Sequence, residues 1–260
     1  MTYLLFYPCM EITEIHFESI DSTNAYARRE YAFFAPEKIT IISADFQTAG
    51  HGRYARQWLS PKNTNLLLTF CFRLPSNTSH LGTLTMIGAH AVAKILETKG
   101  LHPKIKWPND IQLNGKKISG TLCEIVFNIP WAQIFLGIGI NVNIEKEELK
   151  KIDQPATSLK NETGKIWDRD ALKTELMEQI KMDLEQFIQQ GFAPFHSFIE
   201  HRLAYQKERV SCFDGETRWT GICHSLGEDG RLNLLMDDGK IHALYSGDIH
   251  LSDRNKFYQN

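Results

Sequence analysis

The chain has 260 residues, 42% of them apolar and 23% charged, with a net charge of −2 and a pI of about 6.6. These proportions exclude wholesale disorder and a generally basic nucleic-acid coat, and they suit one large domain with a small appendage. No stretch approaches the ~20 apolar residues of a membrane span.

The start, MTYLLFYPCMEITE, lacks the basic region of a signal peptide. Residues 12–19 alternate as a strand, and Asp21-Ser22-Thr23-Asn24 offers a cap and turn before a helix over 25–34. A β-branched strand over 38–46 ends at Gln47. Residues 48–58, TAGHGRYARQW, have no apolar periodicity and form a glycine- and arginine-bearing loop. The next strand, 65–74, stops at Pro75. Apolar residues at 84, 87, 91 and 95 mark one face of a helix that ends near Gly100. Three strands follow: KIKW, then KKISGTLCEIVF after the Asn114-Gly115 turn, then AQIFLGIGINVNI.

Asp168 or Asp170 caps a long helix striped by Leu172, Leu176, Ile180, Leu184 and Phe187. A second helix runs through Phe195 and Ile199 to Leu203. After about residue 207, short strands alternate with Asp214-Gly215, Asp229-Gly230 and Asp238-Gly239 turns. The pattern predicts a small β-barrel appended to an α+β domain. Five cysteines (Cys9, Cys71, Cys123, Cys212, Cys223) contain no CxxC pair and fit reduced, buried thiols in a cytoplasmic protein. The histidines form no zinc-spaced cluster, which argues against a structural metal.

Four segments could carry chemistry. Gly50 and Gly52 let backbone amides approach an anion, and Arg53 and Arg56 add forked donors for carboxylate or phosphate. Trp58 supplies a flat surface for a base; a solvated loop fits these residues equally well. Lys106-Trp107-Pro108-Asn109-Asp110 is a rigid polar elbow that suits a polyphosphate or a plain turn. On a strand, Lys116 and Lys117 face opposite ways, so one can point inward if an anion meets it. Gly137 and Gly139 share a face with Phe135 and Asn141, leaving room for a ligand or for a packed neighbour.

In this order, DSTN, QTAGHGRYARQW, KWPNDI, KKISGTLCE and GIGINVN resemble a biotin–protein ligase (biotin–acetyl-CoA-carboxylase ligase) along almost the whole chain. The resemblance implies a catalytic domain like those of class II aminoacyl-tRNA synthetases over 1–206. An SH3-like barrel follows over 207–260. It implies ATP-dependent formation of biotinyl-5′-AMP, with Mg²⁺ accompanying ATP, and transfer of biotin to a lysine of a biotin carboxyl carrier protein. By resemblance, Ser22, Thr23, Asn24 and Gln47 hold the biotin ring system. His51, Gly52 and Arg53 meet its carboxylate and the adenylate phosphate, and Lys117 binds the same oxygens. Trp58 lies by adenine, Lys106 and Asn109 handle ATP, and Arg56 joins Arg53 in catalysis. Asp110 orients the carrier lysine, and Gly137 and Gly139 make room beside biotin.

The family's usual loop reads Gly-Arg-Gly-Arg-Arg-Gly-Arg, whereas His51, Tyr54 and Ala55 stand here for Arg, Arg and Gly. If position 51 acts through its backbone, His51→Arg changes adenylation by less than about tenfold; a larger gain in a pyrophosphate-release assay contradicts that reading. The early DSTN motif leaves the expectation of no N-terminal winged helix, no specific DNA binding and no repression. A free sheet edge could serve dimerisation or carrier docking, as in relatives. The rivals are a lipoate–protein ligase and a non-catalytic biotin- or nucleotide-binding module.

Overall fold

The computed structural model describes residues 11–252. Its first sheet is mixed. Strand β1 (Ile12–Phe17) lies parallel to β2 (Ile39–Ala44), because helix α1 (Thr23–Glu30) crosses over between them. The remaining pairs, from β2 onward, are antiparallel: β3 (Asn65–Pro75), β7 (Trp131–Asn141), β6 (Lys116–Asn128), β5 (Asp110–Leu113) and β4 (Lys104–Lys106) follow in spatial order. Helix α2 (Leu84–Thr98) packs on one face between that sheet and two later helices, α5 (Arg169–Gln190) and α6 (Ala193–His201). Short helices α3 (Lys146–Leu149) and α4 (Leu159–Thr163) precede α5.

The predicted stripes supply the core. Leu84, Ile87, Ala91 and Ile95 of α2 are buried, as are Leu172, Leu176, Ile180, Leu184 and Phe187 of α5. Helix α2 also buries Met86, Ala89, Val92 and Leu96, because it is covered on both sides. Asp168 is the cap of α5: its Oδ1 accepts from the N–H groups of Asp170 and Ala171, at 2.9 and 3.1 Å. The period of two in β7 sends Leu136, Ile138 and Ile140 into this core, whereas Phe135 packs with Ala27 and Ile42 on the opposite face.

Two segments outside the predicted strands are strands. Residues Asp110–Leu113 pair with both β4 and β6, although only four residues follow the Pro108 elbow. The second is the last strand of a separate antiparallel sheet. That sheet has the order β11 (Ile241–Leu244), β10 (Leu232–Leu235), β9 (Arg218–Leu226), β8 (Arg209–Phe213), β12 (Asp248–Leu251). Helix α1 begins at Thr23, two residues earlier than read, since Ser22 caps it and accepts from the Ala25 N–H at 3.4 Å. Thr23 and Asn24 thereby enter the first helical turn.

Trp107, 2% exposed, ties the two sheets together by donating from Nε1 to the Gly230 carbonyl at 3.0 Å. Cys71, Cys123, Cys212 and Cys223 are free thiols, and Cys9 lies outside the described residues. Burial pushes the Cys71 thiol up to about 12 and Cys223 to about 11, so neither supplies a thiolate at neutral pH. Among the described residues no helix is long and apolar enough to cross a membrane.

Candidate active site

A cleft of about 840 Å³, counting the solvent in its mouth, opens on the α1 side of the large sheet. Strands β3, β6 and β7 form its floor, the N-terminal turn of α1 one wall, and residues 47–58 its cover. Every residue given a catalytic or binding role lines it except Lys106, whereas Gly50 and Lys116, which belong to the same segments, are not among its lining residues.

One end is a neutral polar cradle. Gln47 Oε1 accepts from the Thr23 N–H at 2.7 Å and lies 3.0 Å from Thr23 Oγ1. Asn24, 4% exposed, donates from Nδ2 to Glu124 at 3.0 Å and accepts at Oδ1 from Thr69 Oγ1 at 2.6 Å. The glycines of β7 make room for protein side chains here. A Cβ on Gly137 would fall 2.4 Å from Asn24 Oδ1, and one on Gly139 would fall 2.6 Å from the Trp58 indole. Gly139→Ala therefore displaces Trp58, and tryptophan emission shifted to the red is expected. Unchanged emission would show that the indole has another seat.

The other end is charged. Strand β6 pairs Lys117 with Gln112 and Ser119 with Ile111, so Ile118 is an extra residue in the ladder. Such a bulge re-aims its neighbours. Lys116 stays exposed, while Lys117 turns inward, with Nζ 2.7 Å from Asp110 Oδ1 and 5.4 Å from the Trp58 ring. Gly120, opposite Asp110 in the ladder, leaves space for this pair: a Cβ there would sit 3.1 Å from Lys117 Nζ.

The loop is folded into a small hairpin. Gly52 N–H donates to the Arg56 carbonyl at 2.8 Å, and Trp58 N–H to the Gly50 carbonyl at 2.9 Å. Tyr54 and Ala55 both adopt φ of 56°, a left-handed conformation that costs about 1–2 kcal/mol per residue with a side chain. Tyr54 is well placed to offset this cost: Arg53 and Arg56 lie 5.1 and 5.8 Å from its ring centroid. Tyr54 thus replaces a third cation with a clasp for the two arginines that remain. His51 is exposed, and its backbone pairs with Gln57.

Sequence reasoning missed the small sheet's part in the site. Arg53 donates to the Gly247 carbonyl at 2.8 Å and to Asn109 Oδ1 at 3.3 Å. Asp248 meets Arg56 at 2.5 Å, Lys106 at 3.0 Å and His250 at 3.2 Å. Burial opposes a charge on Asp248, but Lys106 and Arg56 outweigh it and hold the carboxyl well below the usual range. Lys106 reaches the cleft only through this carboxylate. Nothing local marks Asp248, which lies more than a hundred residues from Lys106 in the chain; only the fold brings them together.

Among the described cleft residues, the buried Trp58 Nε1 has no hydrogen-bond partner, whereas the buried carboxylate atoms Asp110 Oδ1 and Asp248 Oδ2 are met by Lys117 at 2.7 Å and Arg56 at 2.5 Å. An unpartnered indole N–H on a concave surface beside three cations, Arg53, Arg56 and Lys117, suits an anionic, aromatic ligand.

This fold and cleft are of the kind that activates a carboxylate for attachment to protein, and residues 16–141 match the Biotin/lipoate A/B protein ligase family. The "Bifunctional ligase/repressor BirA" of Escherichia coli is 32% identical over 91% of this chain and 73% of its own length. The "Biotin--[acetyl-CoA-carboxylase] ligase" of Mycobacterium tuberculosis is 30% identical over 88% and 85%. The solved biotin protein ligase from Aquifex aeolicus in complex with biotin and ATP superposes with a TM-score of 0.77, at 31% identity over 92% of this chain and 98% of that one. The chain belongs to the biotin protein ligase family.

Proposed function

We propose that this protein joins biotin to ATP, giving biotinyl-5′-AMP and pyrophosphate, and then transfers the biotinyl group to a lysine of a biotin carboxyl carrier protein. The observation that carries this reading is the pairing in one cleft of a neutral polar cradle with Lys117, Arg53, Arg56 and Trp58. The names of its relatives as biotin ligases, and the biotin and ATP in the Aquifex aeolicus complex, support it. The residues up to 206 form the catalytic domain, related to class II aminoacyl-tRNA synthetases, and those from 207 an SH3-like barrel. The protein acts in the cytoplasm.

In the first step a carboxylate oxygen attacks the α-phosphorus, and the bond to the β-phosphate oxygen breaks. Two anions must approach, so the barrier is largely electrostatic. Lys117 lines the same cleft as the cradle and can exchange its carboxylate partner, Asp110, for the substrate's. Arg53 and Arg56 neutralise the phosphate charge, Trp58 covers the adenine, and Asn109 holds Arg53 in place. Lys106 acts on ATP through Asp248. Mg²⁺ comes with the ATP phosphates; among the described residues no group of three or more His, Cys, Asp and Glu could hold a metal ion. In the second step the carrier lysine attacks the anhydride carbonyl and AMP leaves. Once Lys117 has moved to the substrate's oxygens, Asp110 is free to orient the amine or take its proton. Among the described residues, no strand pairs with β6 beyond Thr121 on its β5 side, and this is the edge on which a carrier or a second copy would pair.

Biotin-dependent exchange of labelled pyrophosphate into ATP tests the first step. Exchange that needs biotin and ATP together is expected; ATP hydrolysis without exchange contradicts the reading.

A further inference from the structure

We infer that Thr69 and Glu124, which line no part of the ligand's expected path, set the donor–acceptor polarity of the cradle and so make it selective for a cyclic urea. The inference rests on the biotin reading above. It comes from proton accounting across five side chains.

Glu124 can only accept. Arg28 occupies its Oε1 at 2.6 Å, and Asn24 Nδ2 faces its Oε2 at 3.0 Å. The Asn24 amide is thereby locked, with Oδ1 turned toward Gly137 and Thr69. Thr69 is fully buried, has one hydroxyl proton, and lies 2.6 Å from Asn24 Oδ1 and 2.8 Å from Thr23 Oγ1. Oδ1 cannot donate, so that proton goes to Asn24; Thr23 spends its own one proton on Thr69 Oγ1 or on Gln47 Oε1, 2.8 and 3.0 Å away, and in either case leaves only lone pairs for a ligand. The opposite direction for the Thr69 proton would leave two bare oxygens 2.6 Å apart in a dry interior.

Gln47 is fixed from its other side. The Thr23 N–H holds Oε1 at 2.7 Å, so Nε2 lies over Gly50, where a Cβ would come within 2.7 Å of it. The cradle consequently shows the cleft the N–H groups of Gln47 and the unused lone pairs of Thr23 and Asn24. A cyclic urea, one carbonyl flanked by two N–H groups, complements both. A dithiolane ring such as that of lipoate complements neither, and a site built around buried hydrogen bonds discriminates strongly against a ligand that leaves them unmade. Thr69 and Glu124 act through Asn24 and Thr23, and are therefore positioning residues.

The test is titration calorimetry of the full chain with biotin, desthiobiotin (which keeps the urea and lacks the sulfur ring) and ATP. Thr69→Val and Glu124→Met are each expected to weaken biotin and desthiobiotin alike by about tenfold or more, with ATP affinity within about twofold of wild type. Thr69→Ser restores both. Variants that bind biotin as the wild type does would overturn the proposal. So would equal losses for biotin and ATP, which mark a structural role, or a failure of Thr69→Ser to rescue. Glu124 is partly solvated, so Glu124→Met remains informative if Thr69→Val does not fold. A wild-type chain that binds ATP but not biotin strikes the functional reading itself, and this inference with it.

Discussion

Lys117→Ala lowers the rate of biotinyl-adenylate formation by about 10²–10³-fold while biotin still binds, more weakly by about tenfold. The asymmetry follows from the layout of the cleft. The cradle of Thr23, Asn24 and Gln47 is built without Lys117, so most of the ring recognition survives. In the proposed mechanism the lysine offsets repulsion that is greatest when carboxylate and α-phosphate meet, and an interaction that strengthens toward the transition state is felt in rate more than in affinity. Its removal also strands Asp110, 8% exposed, as a carboxylate without its ion pair, and that charge faces an incoming anion. Lys117→Ala combined with Asp110→Asn should thus recover biotin affinity without recovering rate. Pyrophosphate release and calorimetry on the two variants distinguish these effects; wild-type rates in Lys117→Ala would remove the lysine from the mechanism.

The second large effect is on stability. Asp248→Ala leaves Lys106, 6% exposed, without its partner and releases Arg56. Breaking a buried ion pair from one side costs about 3–5 kcal/mol, which in a chain of this size lowers Tm by about 6–20 °C. The pH dependence has a definite sign. The Asp248 carboxyl is held below its ordinary value of 3.8 in the folded protein. Its stabilisation is therefore complete above that value and is lost as the pH falls toward the depressed folded value. Wild type and variant should differ most in Tm near neutral pH and converge in acid. Thermal unfolding across that range checks the point, and a constant difference would contradict it.

Much of this architecture was legible because it is periodic. The stripes of α2 and α5 repeat every three or four residues, and the alternation in β7 assigns Leu136 and Phe135 to opposite cores. Strand β5 was not legible, since four residues after a proline elbow carry no repeat long enough to count. In the site, the residue types announced a cleft that handles anions, but not what fills its glycines. That Gly137 accommodates Asn24 and Gly139 accommodates Trp58 depends on where α1 and the loop land. Asp248 and Thr69 act through contacts across 142 and 45 residues of chain respectively, a separation that no local pattern encodes.

Attachment of biotin to a carrier is read from the intact mass of a biotin carrier domain incubated with this protein, ATP and Mg²⁺, with biotin and lipoate supplied in separate reactions. The structure and its relatives predict a biotin-sized gain on one lysine that requires ATP, and no gain from lipoate. A gain from lipoate alone would assign the protein to lipoate attachment. No gain from either, with biotin binding intact, would reduce the cleft to a binding module and contradict the account.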